Sequence, residues 1–116
     1  MATTKSAASA AVPSAQDPNR LERPAALLKA LAHPQRLAIV DLLSRIYPER
    51  LSVTKIYTTL DLSQAVTSQH LILLKKHGIL TSKKEVTTVY YSLAKPSVRE
   101  VIQCIEDNIE NLATTR

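Results

Sequence analysis

Leu62–Leu80, "LSQAVTSQHLILLKKHGIL", holds a serine before a helical run, two glutamines and a serine among apolar residues, and then Gly78, the chain's only glycine. A serine hydroxyl can accept from the exposed amides of a first helical turn, and glycine adopts at low cost the left-handed conformation that ends a helix. Ser63 and Gly78 therefore predict one helix between them. At a period of about 3.6, Thr67, Leu71 and Leu74 form one stripe with Leu73 near it, and that stripe faces a core. Gln64, Ala65, Ser68, Gln69 and Ile72 fall on the opposite face, with no acidic residue among them.

Just upstream, Ser52 can cap a short helix running through Ile56 and Leu60, and Asp61 and Leu62 make a tight turn. Two helices so joined form a helix-turn-helix candidate, and what the second helix leaves wet decides its use. Glutamine gives and accepts hydrogen bonds at once, as the N6 and N7 edge of adenine requires, while Ala65 and Ile72 can meet a thymine methyl. Lys75 adds a cation further along the helix. An ordinary amphipathic helix with a polar outer face fits the same pattern, so the helix alone leaves both readings open.

After Gly78, "ILTSKKEVTTVYYSL" alternates around a Lys83-Lys84-Glu85-Val86 turn, with β-branched and aromatic residues in its second arm. This predicts a β-hairpin with lysines at its tip. Beside a helix in the major groove, Lys83 and Lys84 would reach phosphates or the neighbouring minor groove, giving salt-dependent affinity without sequence information.

The rest of the chain sets the frame. Its 116 residues, 45% of them hydrophobic, suffice for one compact domain. With no Trp or Phe and four Tyr, the core is built from Leu, Ile, Val and Ala, which predicts a mainly α fold. Leu27, Leu28 and Leu31 form an apolar stripe, "HPQR" breaks it, and Pro34 suits the first position of a second helix carrying Leu37, Ile39, Val40, Leu42, Leu43 and Ile46. Between Pro24 and Lys95 ten basic residues face Asp41, Glu49, Asp61 and Glu85, whereas Pro96–Leu112 sets Arg99 against Glu100, Glu106, Asp107 and Glu110. A basic working surface and a differently employed last helix follow, with an anionic partner for the first.

That last helix carries Val98, Val101, Ile102, Ile105, Ile109 and Leu112 on one stripe that the compact body has no room to cover. Bundling it with Leu27, Leu28 and Leu31 of two protomers predicts a two-fold dimer. "MATTKSAASAAVPSAQDPNR" is Ala-, Ser- and Pro-rich without a signal-peptide core, and no stretch is long and apolar enough to span a membrane. We divide the chain into a disordered tail at 1–20, a DNA-binding and dimerisation domain at 21–112 and a tail at 113–116. Cys104 alone can form no intrachain disulfide and no cysteine cluster for a metal. It reads as a partly buried structural thiol, with a redox role as the alternative. His70 and His77, seven residues apart, lack partners for a shared metal; His70 reads as packed or hydrogen-bonded. No carboxylate pair, phosphate loop or nucleophile arrangement stands out, so no enzyme and no cofactor is expected.

"LLKALAHPQRLAIVDLL", "LSQAVTSQHLILLKKHGIL" and "VYYSL", in this order, resemble the arsenic-repressor (ArsR) family of winged helix-turn-helix repressors over about Ala25 to Asn111. The resemblance implies a winged helix-turn-helix with a two-stranded hairpin wing and an apolar C-terminal dimerisation helix. It implies a cytoplasmic homodimer, paired through its first and last helices, that binds double-stranded DNA at an imperfect inverted repeat and is released by a signal. DNA contacts would lie on Gln64, Ala65, Ser68 and Gln69 and on a wing around Lys83 to Thr88. The family's metal sites are not matched: Ser52, Val53, Thr54 and Lys55 stand where thiolate sensors show Cys-Val-Cys-Asp. Lys95, Ser97, Asn108 and Asn111 align with the Asp and His-type ligands of the last helix. No metal is therefore expected to control the protein. Val86 and Thr87 replace the Gly and Arg common at family wing tips, and His33 stands where an Asp commonly caps the second helix, a weaker cap of little functional meaning. A winged helix serving only as a protein-docking module is the competing reading.

Overall fold

The computed structural model describes residues 17–114. Its order is a 3-10 turn at Pro18–Leu21, α1 (Glu22–Leu31), α2 (Pro34–Arg45), β1 (Leu51–Ser52), α3 (Val53–Leu60), α4 (Gln64–Lys76), β2 (Leu80–Glu85), β3 (Thr88–Leu93) and α5 (Ser97–Thr114). The first sixteen residues of the expected tail lie outside the described range. Within the four remaining residues of that predicted tail, the Asp17 carboxylate accepts from the Asn19 amide and caps the Pro18 turn. At the other end, α5 continues two residues past Leu112.

Local chemistry sets the helix ends. Pro34 opens α2 behind His33, whose Nδ1 accepts from the Gln35 amide at 3.1 Å. The Ser52 hydroxyl accepts from the Lys55 amide at 3.1 Å and that of Ser63 from the Val66 amide at 3.2 Å, so both helices of the pair start on a serine. Between them Asp61 turns left-handed at φ 56°, a conformation that Asp tolerates better than most residues. At the end of α4, Gly78 (φ 75°) donates to the Lys75 carbonyl and Ile79 donates to that of Leu74. This double closure stops the helix and turns the chain into the sheet, with Leu74 and Ile79 both buried.

One core joins the elements: Ala30 and Leu31 of α1, Ile39, Val40 and Leu43 of α2, Ile56 of α3, Leu71 and Leu74 of α4, Ile79, Leu80, Tyr91 and Leu93 of the sheet, and Ile102 of α5. Each large side chain fully buried there contributes about 1.5–3 kcal/mol relative to exposure.

β2 and β3 form the two-stranded hairpin expected for the wing, and a third short strand joins them in the order β1-β3-β2: Leu51 and Ser52 pair with Tyr91 and Tyr90. A two-residue strand is too short to show a period. One expectation is corrected: the hairpin turns at Val86-Thr87, past Glu85 and not over Lys83 to Val86, because the antiparallel register runs from Leu80↔Leu93 to Glu85↔Thr88. Lys83 and Lys84 are strand residues paired with Tyr90 and Val89, so pleating sends them to opposite faces.

Candidate DNA-reading surface

The outer face of α4 is the one its periodicity requires. Thr67, His70, Leu71 and Leu74 are buried, Gln64, Ala65, Gln69 and Lys75 are exposed, and Ser68 is half-buried. Ile72 is 63% exposed, a branched apolar side chain held in water on a polar face. Ser68 and Ile72 line a shallow depression with Val53, Leu71, Val89 and Tyr91, so α4's outer edge adjoins one face of the sheet. Lys84, opposite Val89, belongs to that face; Lys83, opposite Tyr90, belongs to the other. The expected phosphate-binding pair is therefore divided, with Lys84 on the side of α4. Thr87 is exposed in the turn and Thr88 half-buried as β3 begins.

Val86 occupies the tip at φ 58° and is 92% exposed. A left-handed residue with a side chain costs about 1–2 kcal/mol, and a branched β-carbon makes Val a poor occupant. The two-residue closure, not the residue's preference, imposes the conformation.

Arg50 was not foreseen as part of the surface. It donates to Glu85 Oε1 at 2.7 Å, and its guanidinium carbon lies 4.2 Å from the Tyr90 ring centroid. The Glu85 carboxyl is held below the usual carboxylate range, chiefly by that hydrogen bond. No local pattern announces a pair separated by 35 positions.

Behind α4, two histidines meet. The His33 and His70 ring centroids are 4.7 Å apart at a 52° tilt. His70 Nε2 is 2.9 Å from Gln35 Oε1, and its Nδ1 faces an Arg36 guanidinium nitrogen at 3.5 Å. Arginine has only donors, so Nδ1 accepts and Nε2 carries the proton toward Gln35. Arg36 is itself anchored on the Ala30 carbonyl. His70 is thus packed and hydrogen-bonded as expected, whereas His33 does more than cap α2: it packs against the back of α4.

Burial, then the neighbouring His33 and Arg36, push the His70 pKa below its ordinary value of 6.5. Between that lowered value and 6.5 the unfolded chain binds more protons than the folded one, so stability rises with pH through this window and is lost on acidification. Thermal unfolding followed between about pH 5 and 8 should show the midpoint falling below pH 6.5. His70→Gln, which can still donate to Gln35 and accept from Arg36, should flatten that fall. An undiminished slope in the variant would place the proton elsewhere.

The dimerisation stripe is partly reassigned. Leu31 and Ile102, 9% and 8% exposed, belong to the protomer's own core, and Val98 packs against it. Leu31 and Ile102 therefore leave little surface for a second copy, while Val98 is half-buried. Leu27, Leu28, Val101, Ile105 and Ile109 remain exposed. The Leu112 side chain lies outside the described residues. Cys104 is exposed, not partly buried as expected, because α5 turns only its Ile102 side toward the core; Asn108 Nδ2 donates to the Cys104 carbonyl at 2.7 Å. Among the described residues no three His, Cys, Asp or Glu side chains gather where a metal could be held, and no helix is long and apolar enough to cross a membrane.

Two serine-capped helices, the second with an amide-bearing outer face and leading directly into a hairpin wing, define a winged helix-turn-helix regulator. A helix-turn-helix domain family model matches residues 31–83. The chain is 38% identical over 79 residues to the transcriptional activator HlyU of Vibrio cholerae, covering 68% of this chain and 70% of that protein. It is 40% identical over 86 residues to the transcriptional repressor PagR of Bacillus anthracis, covering 73% and 83%. The solution structure of the homodimeric winged helix-turn-helix domain of Mb0332 from Mycobacterium bovis, described as a possible ArsR-family regulator, superposes with a TM-score of 0.67 at 30% identity, covering 76% of this chain and 82% of that one. The chain belongs to the ArsR family of winged helix-turn-helix transcriptional regulators.

Proposed function

We propose that the protein is a cytoplasmic, homodimeric, sequence-specific DNA-binding repressor that is not controlled by metal. The observation that carries the reading is the outer face of α4: Gln64, Ala65, Ser68, Gln69 and Ile72 stand clear of the core on a capped helix, with Lys84 on the adjoining face of the wing. In the major groove, Gln64, Ser68 and Gln69 contact base edges, Ile72 and Ala65 meet thymine methyls, and Lys75 and Lys84 take phosphates. A two-fold dimer sets two such helices about 34–36 Å apart, one turn of duplex, and so reads an imperfect inverted repeat. Bound across a promoter, it represses by occupying it. The reading includes no catalytic step.

Fluorescence anisotropy on the inverted repeat and on random duplex tests the assignment. Gln69→Ala should cost about 1–3 kcal/mol on the cognate site and relax specificity, while Lys84→Ala should lower the salt slope by about one on both duplexes. Equal losses on both duplexes for both variants would defeat this division of labour. In the same titration zinc, cadmium and arsenite should leave affinity unchanged, since hydroxyls, amides and ammonium groups replace thiolate and imidazole at both family metal positions. A metal-dependent loss of about tenfold, or 1.4 kcal/mol, would refute metal independence.

A further inference from the structure

Arg50 stands immediately before β1, at one edge of the sheet, and its partner Glu85 ends β2 at the other. To reach it the guanidinium crosses Tyr90 on the central strand, 4.2 Å above the ring, and donates to the carboxylate at 2.7 Å. Register and pleat place Lys83, Glu85, Thr88 and Tyr90 on this one face, opposite Lys84, Val89 and Tyr91. One side chain therefore ties all three strands at the mouth of the hairpin, next to the left-handed Val86. An isolated surface ion pair holds little, but a planar guanidinium fixed by a ring and a carboxylate together has few alternative positions. Glu85 itself is anomalous on a hairpin meant for phosphates, where its charge opposes binding.

We propose that Arg50 is a positioning residue for DNA binding: through Tyr90 and Glu85 it fixes the angle of the wing, so that Lys84 and the Val86-Thr87 tip meet the duplex while α4 is seated in the groove. The inference rests on the reading that the wing touches DNA. A wing held at that angle before encounter loses less conformational freedom on binding than one that must be ordered by the duplex. Glu85 is then retained because it anchors the brace, although its charge is unfavourable at that place.

The test measures operator affinity and salt slope for Arg50→Ala, Arg50→Lys, Glu85→Gln, the Arg50→Ala/Glu85→Gln double variant and Lys84→Ala, with backbone nitrogen relaxation of the free proteins. Arg50→Ala and Glu85→Gln should each weaken operator binding by about three- to tenfold with the salt slope unchanged, and the double variant should be no weaker than Arg50→Ala alone. Arg50→Lys keeps a cation for Glu85 but loses the flat contact with Tyr90, and should lie between wild type and Arg50→Ala. Fast motion should rise at the Lys83 to Thr88 amides of Arg50→Ala and stay constant along α4. Tighter binding by Glu85→Gln would make the carboxylate a simple repulsive charge and overturn the proposal. So would a drop of about one in the slope of Arg50→Ala, which would make Arg50 a phosphate contact. If Lys84→Ala behaves as wild type, the wing reading itself fails; if Lys84→Ala loses affinity while the Arg50 and Glu85 variants are silent, only the brace fails.

Discussion

Ile105→Glu is expected to leave the protein monomeric and to lower its affinity for a full inverted repeat by about 10²- to 10⁴-fold, the gain that linking two modest binding events confers. Val101, Ile105 and Ile109 recur every fourth residue along α5 and are 42%, 50% and 58% exposed, the opposite of what a solvent-facing helix would choose. Leu27 and Leu28 add a second exposed apolar strip on α1. Exposed apolar strips of this kind mark association surfaces. A glutamate at its centre would have to be buried unpaired in the dimer, a cost of several kcal/mol per contact copied twice by the symmetry. Ile105 lies outside the buried core cluster, so the monomer should keep its fold and its half-site affinity. Sedimentation equilibrium and binding to full- and half-site duplexes read both effects. A wild type that sediments as a monomer yet binds full sites tightly would refute the dimer.

Leu71→Ala is expected to destabilise the protein by about 2–5 kcal/mol, the range for truncating a fully buried leucine. Leu71 is 0% exposed and belongs to the cluster that seats α4 on the body. In a domain of this size each kcal/mol shifts the unfolding midpoint by about 4–8 °C, so the loss should be evident in a melt at fixed protein concentration. Gln69→Ala, two positions away on the wet face, should leave the melt unchanged while weakening DNA binding. The pair separates what holds the helix from what the helix reads. A Leu71→Ala midpoint equal to wild type would mean that α4 is not seated through this side chain.

Much of the reading surface was legible in Leu62–Leu80 because its determinants are local. A serine cap, a 3.6-residue stripe and a glycine stop lie within one helix length, and the structure returns all three: Ser63 on Val66, Thr67, Leu71 and Leu74 buried, Gly78 left-handed. The exposed amides of Gln64 and Gln69 follow from that phase alone. What the sequence left undecided depended on partners far along the chain. The wing tip shifted to Val86-Thr87 because cross-strand register, not turn preference, closes the hairpin. Leu31 and Ile102 share a periodic stripe with residues that stay wet, and only the packing of α1 and α5 on the body determines which sink into the core. His33 against His70 and Arg50 against Glu85 join positions more than thirty residues apart, where no spacing rule operates. Sequence by itself determined the helices and the face of α4 that stays wet; the tertiary structure alone decided which side of the wing each lysine occupies and which groups meet across the sheet, because strand pairing and packing bring together groups that local periodicity cannot relate.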